Sequence, residues 1–321
     1  MEKKDQQQTP ELKERFNQFD FSGFDTMGQT IEVAKKYVSD ARSGNRIVFP
    51  TKWARYNRQL MGGMQPGKMY VVGGRPGSGK SQFSNQMLFD VLDLAKDSGK
   101  KMLVFYWSFE MPGYQQLMRI ASGDLNTSVF DLIQESADTA ILNSFNATLD
   151  KFKDYPIAFY NIPSTLVLFK SKITQFCLNN PDVTVINVID HTRLFKGGNK
   201  EEMQRIADVT KALMEVQAQY QTISILLSQL NRSIESNDRA NNQYQPLLSD
   251  IFGSDAVGQD AHVVTILNRP YDQYNIEEPY CGENTKRLMA AHIVKNREGQ
   301  LGMVPLQTWY PSFKLTERKK E

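Results

Sequence analysis

A glycine-rich segment of the chain has the residue types and spacing of a phosphate-binding loop. It consists of Gly74, Arg75, Pro76, Gly77, Ser78, Gly79, Lys80 and Ser81, which complete the pattern Gly-x-x-x-x-Gly-Lys-Ser/Thr. The glycines of such a loop let successive backbone N–H groups face a polyphosphate, the lysine reaches the β- and γ-phosphates, and the serine hydroxyl binds Mg²⁺. A glycine-rich turn without a ligand is the structural alternative. The apolar segment before the loop and the amphipathic segment after it favour a nucleoside triphosphate site, because a helix N-terminus attracts phosphate.

Polar residues that follow other apolar segments have the chemistry to complete this site. Asp190 follows the apolar run 183–189 and suits the role of holding Mg²⁺ opposite Ser81. Glu110 fits a base that orients the attacking water, and Gln229 fits a hydrogen-bonding partner of a γ-phosphate. Each also has a structural interpretation: Asp190 as a turn cap, Glu110 as a solvated charge, and Gln229 as an amide that satisfies loop backbone groups.

A basic pair closes a later apolar segment. Lys295 and Arg297 stand directly after the run 288–294. Such cations either cap their own turn or reach a γ-phosphate across a subunit boundary, where they would stabilise the charge that develops during phosphoryl transfer. The spacing alone does not separate these two hypotheses.

Two loops combine cations with glycine or asparagine, which is the composition expected for contacts that follow a nucleic-acid backbone. The first loop, directly after Asp190, contains Arg193, Lys196, Gly197, Gly198 and Lys200. The second, 231–245, is polar and asparagine-rich and contains Arg232 and Arg239. A solvated charged face is the alternative for both loops.

These residues need a scaffold that brings distant segments together. Apolar runs typical of strands alternate with amphipathic helical segments. The predicted strands are 69–72, 101–109, 157–160, 183–189, 222–228, 263–267 and 288–294, followed by a hairpin over 303–315 with its turn at 311–312; the predicted helices are 82–94, most of 114–153, 166–178 and 201–220. This alternation predicts an α/β fold with a mostly parallel sheet flanked by helices. Ligands of such sheets bind beyond the carboxyl ends of the strands, where Glu110, Asp190 and Gln229 stand.

The N-terminal part of the chain differs from this pattern. Residues 1–25 are polar and read as a tail, and 29–42 has the apolar spacing of an amphipathic helix that packs either on its own domain or on another subunit. We therefore expect a tail and helix over 1–47 and a single large domain over 48–321.

The overall composition excludes several classes. With 321 residues, 40% of them hydrophobic and 23% charged, the chain has the composition of a globular protein, and no apolar run approaches the ~18 residues of a membrane span. Cys177 and Cys281 are far apart, and no histidine has metal-ligand spacing, which argues against disulfide frameworks and zinc sites and favours the cytoplasm. A net charge of +2 is too small to indicate a nucleic-acid partner by itself, so any basic surface must be local.

Together these segments resemble the DnaB-type replicative DNA helicases, whose motor is RecA-like. The phosphate loop, with Arg75 and Pro76, is similar to the family signature Gly-x-Arg-Pro-x-x-Gly-Lys. Segment 109–112 is similar to its Ser-Leu-Glu-Met segment, 228–233 to its Ser-Gln-Leu-Asn-Arg motif, and 293–299 to its Lys-x-Arg-x-Gly motif. The resemblance extends over roughly 48–315 in consistent order.

The resemblance implies a homo-hexameric ring that hydrolyses ATP with Mg²⁺, moves 5′ to 3′ on single-stranded DNA and unwinds duplex. It implies that Glu110 is the catalytic glutamate, and that Arg297, with Lys295, is an arginine finger acting on the neighbouring subunit's ATP. The two basic loops would line a central DNA channel, and helix 29–42 would dock on the adjacent subunit. Primase, a helicase loader and other replisome proteins are the implied partners, and no membrane is implied.

The chain also departs from the family pattern. His191 stands where the family usually has tyrosine, and Phe252 and Gly253 stand where it tends to have Arg-Glu. The family's N-terminal domain does not precede the motor, which leads us to expect a compact form of the kind that phages or mobile elements encode. Two alternatives keep the nucleotide site: a RecA-like recombination or repair ATPase, and an ATP-binding assembly module that is not a motor. The motif at 295–297 and the match at 228–233 favour the helicase over the first, and the presence of Glu110, Asp190 and Arg297 together disfavours the second.

Overall fold

The computed structural model describes residues 25–96, 98–108, 111–134, 136–162, 164–190, 202–309 and 312–319. The chain divides into two compact units, Met1–Ile47 and Val48–Glu321. The first unit contains helix α1 (Met27–Ser43), which begins with a capping box between Thr26 and Gln29 and ends at Gly44 with φ of 76°. Glycine favours this left-handed conformation, so the sequence itself specifies where the helix ends.

The second unit alternates strands and helices in the predicted order. Its strands are β1 (Met69–Gly74), β2 (Met102–Ser108), β3 (Ile157–Tyr160), β4 (Thr184–Asp190), β5 (Ile223–Gln229), β6 (Val263–Asn268), β7 (Leu288–Asn296), β8 (Gly302–Trp309) and β9 (Lys314–Glu317). Its α-helices are α2 (Ala54–Gln59), α3 (Lys80–Lys96), α4 (Gly113–Leu125), α5 (Val129–Leu132), α6 (Thr139–Phe152), α7 (Leu166–Asn179), α8 (Glu202–Tyr220), α9 (Ser254–Asp260) and α10 (Pro270–Tyr274). Each predicted strand overlaps an observed one.

Within the described residues, the strands form a nine-stranded sheet in the order β3-β2-β4-β5-β1-β6-β7-β8-β9. The six strands from β3 to β6 in this order pair in parallel. Strands β7, β8 and β9 extend the sheet with antiparallel pairs. The predicted α/β class with a mostly parallel sheet is therefore confirmed.

Helices cover both faces of the sheet. Tyr70 and Val72 of β1 pack into a core with side chains of α3, α4 and α6. Met69 and Val71 alternate with them and pack into a second core with side chains of α7, α8 and α9. A strand covered on both faces is apolar at most positions, which explains why these strands read as nearly continuous apolar runs in the sequence.

The structure refines the sequence prediction in several connecting segments. The stretch 114–153, predicted as mainly helical, is divided into α4, α5 and α6, with Asn126 in the left-handed conformation after α4 and Ser128 and Asp138 as N-caps of the next two helices. The polar loop 231–245 contains two short 3₁₀ helices, Arg232–Glu235 and Asn237–Asn242. The predicted hairpin turn lies partly outside the described residues. None of the helices in the described residues has the length and apolar character needed to cross a bilayer.

Candidate functional site

The phosphate loop connects the end of β1 to the start of α3, at the carboxyl edge of the parallel strands. Gly77 and Gly79 have φ of 77° and 92°, a conformation that side chains disfavour. A Cβ atom at Gly79 would lie 2.6 Å from Met289 Cε. Glycine at this position is thus favoured by the backbone conformation, and a larger residue would also have to displace the tip of the Met289 side chain.

Lys80 and Ser78 place polar groups inside the loop. The Lys80 ammonium donates to the carbonyl oxygens of Gly74 at 2.8 Å and of Arg75 at 3.3 Å. The Ser78 hydroxyl is buried and has no hydrogen-bond partner among the described residues. A buried hydroxyl without a partner is costly, so the loop contains a donor that a phosphate oxygen would satisfy.

Ser81 and Asp190 lie together, as the sequence predicts. Ser81 is in the first turn of α3 and Asp190 is the last residue of β4, and the Ser81 hydroxyl donates to Asp190 Oδ2 at 3.0 Å. Asp190 is only 5% exposed. A hydroxyl and a carboxylate are oxygen ligands of the kind that Mg²⁺ prefers. Their juxtaposition is a structural fact, and their role as metal ligands remains a prediction.

Gln229 lies beside the phosphate loop. It is the last residue of β5 and pairs in register with Gly74. Its side chain is half-buried. The predicted catalytic residue Glu110 lies outside the described residues. The strand before it, β2, ends at Ser108, which pairs in register with Asp190.

The Arg75 side chain points away from its own loop. Its guanidinium forms two parallel hydrogen bonds with the Glu235 carboxylate, at 2.7 Å and 3.1 Å, and a third with the Leu230 carbonyl at 3.1 Å. The backbone of Arg75 is part of the phosphate loop, whereas its side chain contacts residues of the segment after β5. The Arg75 side chain is thus bound to Glu235 and Leu230, and contact of the Arg75 backbone with a nucleotide stays a prediction.

Two residues that the sequence analysis missed lie at the same edge. Arg269 follows β6, and its guanidinium donates to the Gly77 carbonyl at 3.1 Å. The preceding residue, Asn268, donates from its amide to the Tyr244 carbonyl and to the Tyr280 hydroxyl, each at 3.0 Å. The rule that polar residues at strand ends approach the ligand also applies to β6, and it would have identified both.

Lys295 and Arg297 lie at the opposite edge of the sheet. β7 runs antiparallel to β6, so that Ala290 pairs with Asn268 near the phosphate loop whereas Asn296 pairs with Val263 at the other end. At ~3.3 Å per residue this separation amounts to about 20 Å. The basic pair is therefore too far away to act on a nucleotide in its own phosphate loop.

Both cations bind the end of helix α9. Lys295 donates to the Gly258 carbonyl, and Arg297 donates to the Gln259 carbonyl. Cations are favourable at this end of a helix because its partial charge is negative. Burial is the main cause that lowers the pKa of His262 to about 4, and the neighbouring Arg297 and Lys68 lower it further.

Of the two loops predicted to bind nucleic acid, the structure describes only the second, 231–245. Arg193, Lys196, Gly197, Gly198 and Lys200 lie outside the described residues. In the second loop, Arg232 is exposed and makes no ion pair with any described residue. Arg239 instead forms a two-bond ion pair with buried Asp250, at 2.9 Å for each bond, and donates to the Gln245 carbonyl. This geometry favours a structural role for Arg239 and leaves Arg232 as the candidate contact.

Two curated relatives match most of this chain. A replicative DNA helicase DnaB of Leifsonia xyli subsp. xyli is 27% identical over 293 residues, which is 90% of this chain and 60% of the relative. The replicative DNA helicase DnaB of Geobacillus stearothermophilus is 26% identical over 270 residues, which is 83% of this chain and 55% of that protein. The chain thus spans little more than half the length of these relatives.

Solved structures agree on the fold. A solved ATPase domain superposes with a TM-score of 0.78 at 20% identity, covering 92% of this chain and 99% of that one. A structure that describes a DnaB-like replicative helicase and its interactions with primase has a TM-score of 0.75 at 20% identity, covering 88% of this chain and 65% of that one. At this identity the matches establish the fold alone. The family model described as the DnaB-like helicase C terminal domain matches residues 49–315. This segment contains the whole described sheet except the last two residues of β9. The chain belongs to that family.

Proposed function

We propose that this chain is the motor of a ring-shaped, ATP-dependent replicative DNA helicase. Family membership supports the reaction class. The observation that carries the proposal is the position of Lys295 and Arg297, about 20 Å from their own phosphate loop along β7. A site that needs these cations can be completed only by a second copy of the chain. Head-to-tail contacts of this kind close into rings, and we propose a homo-hexamer.

The residues at the carboxyl edge fit ATP and Mg²⁺. The loop N–H groups, Lys80 and the Ser78 hydroxyl, which has no partner among the described residues, would hold the phosphates, and Ser81 with Asp190 would hold the metal. When bound, Mg²⁺ would neutralise charge on the β- and γ-phosphates. Glu110 would orient the attacking water, and Gln229 would hydrogen-bond the γ-phosphate or that water.

Single-stranded DNA is the proposed track, with movement from 5′ to 3′. Arg232 supports a contact with the DNA backbone, because it is exposed and makes no ion pair with a described residue. The cations of 193–200 would form the second wall of the channel. Helix α1 would dock on the adjacent subunit, since its apolar residues Ile31 and Val38 are 44% and 55% exposed.

We further propose that primase, a helicase loader and other replisome proteins are partners, acting in the cytoplasm. One structural neighbour is a DnaB-like replicative helicase whose structure describes its interactions with primase. Both cysteines are free thiols, in keeping with a reducing compartment.

Strand displacement from a forked duplex, with ATP and Mg²⁺, tests the proposal. We expect the parent chain to unwind the fork and Lys80→Ala to lose hydrolysis by about 100-fold or more, because the positive charge that faces the transferred phosphate is removed. Lys96→Ala, at the exposed end of the same helix, is the matched control and should behave like the parent.

The other outcomes separate the alternatives. DNA-stimulated hydrolysis without strand displacement would instead support a recombination or repair ATPase. Nucleotide-dependent assembly without DNA-stimulated hydrolysis would support an assembly module.

A further inference from the structure

The Arg75 side chain links two segments that are far apart in sequence. Arg75 lies in the phosphate loop, and Glu235 ends the 3₁₀ helix Arg232–Glu235 that follows β5. The two parallel hydrogen bonds between them, at 2.7 Å and 3.1 Å, have the fork geometry that makes arginine–carboxylate pairs specific. The Arg75 side chain is 16% exposed and the Glu235 side chain 45%, so the pair lies at the surface with its arginine mostly covered.

The backbone of Arg75 is bound to the residues that we propose contact phosphate. Its carbonyl oxygen accepts hydrogen bonds from the Ser78 N–H at 3.0 Å and from the Lys80 ammonium at 3.3 Å. If Lys80 moves onto a γ-phosphate, it must weaken or redirect its bond to this carbonyl. A change at the nucleotide would thereby alter the contacts of Arg75, whose side chain binds Glu235.

The far end of the same loop is also attached to this edge. Asn268 binds the Tyr244 carbonyl at 3.0 Å, and its neighbour Arg269 binds the Gly77 carbonyl at 3.1 Å. Loop 231–245 is thus tied to the phosphate loop near both of its ends. Arg232, the exposed cation of this loop, lies in the same 3₁₀ helix as Glu235.

We infer that Arg75 is a positioning residue that transmits the nucleotide state to loop 231–245 through Glu235, rather than a ligand of the phosphates. The inference rests on the proposed function for the role of that loop in binding DNA. The transmission itself requires only that nucleotide binds the phosphate loop.

Hydrogen–deuterium exchange of the full chain, with and without ADP and Mg²⁺, tests the transmission directly. In the parent, we expect nucleotide to change the exchange rate of peptides covering 231–245 by about threefold or more. In Glu235→Gln, which keeps the size of the side chain but loses the charge, this response should fall to about one third or less, while peptides covering 74–81 still respond. Glu278→Gln, a change at another exposed glutamate, is the matched control and should respond like the parent.

Hydrolysis gives a second measurement. Glu235→Gln should keep its basal rate within about twofold, because Glu235 lies outside the phosphate loop. It should lose most of its stimulation by single-stranded DNA, because its bond to Arg75 is weakened. The double variant Arg75→Gln/Glu235→Gln should lose no more of the exchange response than either single variant, as expected for two residues that act as a unit.

Two results would overturn the inference: a parent loop whose exchange does not respond to nucleotide, or a Glu235→Gln loop that responds as the parent does. Failure of the parent to unwind a fork would refute the proposed helicase function, yet the exchange experiment would still decide whether Arg75 transmits the nucleotide state.

Discussion

At the residue scale, Asp90 is a carboxyl group placed where a negative charge is costly. It lies in α3 and is 1% exposed. Its carboxylate accepts hydrogen bonds from the backbone N–H of Lys52 at 3.0 Å and from the side-chain amide of Gln86 at 3.3 Å. The side-chain ammonium of Lys52 lies 3.7 Å from the carboxylate. Burial outweighs these favourable contacts and raises the pKa of Asp90 to about 6.

This raised pKa predicts a pH dependence of stability. Between about pH 4, the ordinary pKa of aspartate, and about pH 6, the folded chain binds more protons at this site than the unfolded chain. The contribution of Asp90 to the free energy of unfolding should therefore fall as pH rises through this window, by up to about 3 kcal/mol, and level off above it. His262 and His292, whose pKa is lowered to about 4, contribute with the opposite sign in the same window. The prediction therefore concerns a difference: the stability of the parent relative to Asp90→Asn should fall across the window. Chemical denaturation at about pH 4.5, 5.5 and 7 measures it, because these values sample the window and the plateau above it.

The control for this prediction is Asp238→Asn, which removes a charge from an exposed aspartate. Its stability profile should keep the slope of the parent. A difference in stability between the parent and Asp90→Asn that stays flat or rises between about pH 4 and 6 would contradict the assignment.

Some residue contacts follow from sequence and others do not. The meeting of Ser81 with Asp190 could be predicted because each is fixed by a local rule: the phosphate-loop pattern for one and the end of an apolar strand for the other. The Arg75–Glu235 pair could not, since its members are separated by 160 positions and nothing local selects one carboxylate among many. Long side chains find partners that only the tertiary fold brings near.

At the element scale, loop 231–245 is held by its own charges. Arg239 is bound to Asp250, whose side chain is 3% exposed, and Asp250 also accepts the Leu247 N–H at 2.7 Å. Composition alone gave the two arginines of this loop the same interpretation, as contacts to a phosphate backbone. The fold separates them, because Arg239 neutralises a buried carboxylate and Arg232 faces solvent.

This difference predicts opposite phenotypes for matched substitutions. Arg239→Gln leaves Asp250 buried without its cation, and the opening free energy of the loop should fall by about 2–4 kcal/mol, measured by hydrogen exchange of 231–250. Arg232→Gln should change stability by less than about 0.5 kcal/mol. It should also lower single-stranded DNA affinity and reduce the salt slope of log K by about 0.7 for one lost phosphate contact. If Arg239→Gln weakened DNA binding while leaving exchange unchanged, Arg239 would be the DNA contact.

The strands themselves were the most predictable elements. Continuous apolar runs such as 183–189 correspond to strands covered on both faces, and their lengths exclude long helices. Breaks inside helical regions were less predictable. The division of 114–153 into separate helices depends on the N-caps Ser128 and Asp138. A single capping residue is a weak sequence signal when the segments on both sides of it have helical spacing.

At the scale of the whole molecule, the two edges of the sheet carry complementary halves of one proposed site. The carboxyl edge has the phosphate loop with Ser81 and Asp190. The opposite edge has Lys295 and Arg297, both bound to the end of α9. In a head-to-tail ring the second edge of one chain meets the first edge of the next, and each interface then contains a complete site.

Rings assembled from two different variant chains test this arrangement. Lys80→Ala and Arg297→Ala should each be inactive in hydrolysis when assembled alone. In a random equal mixture, about a quarter of the interfaces join the intact phosphate loop of an Arg297→Ala chain to the intact arginine of a Lys80→Ala chain, so hydrolysis should partly recover. A mixture of Lys80→Ala with the double variant Lys80→Ala/Arg297→Ala has no intact phosphate loop and should stay inactive. Were Arg297 to act within its own chain, or only to cap α9, neither mixture would regain activity, because every chain would lack one half of its own site.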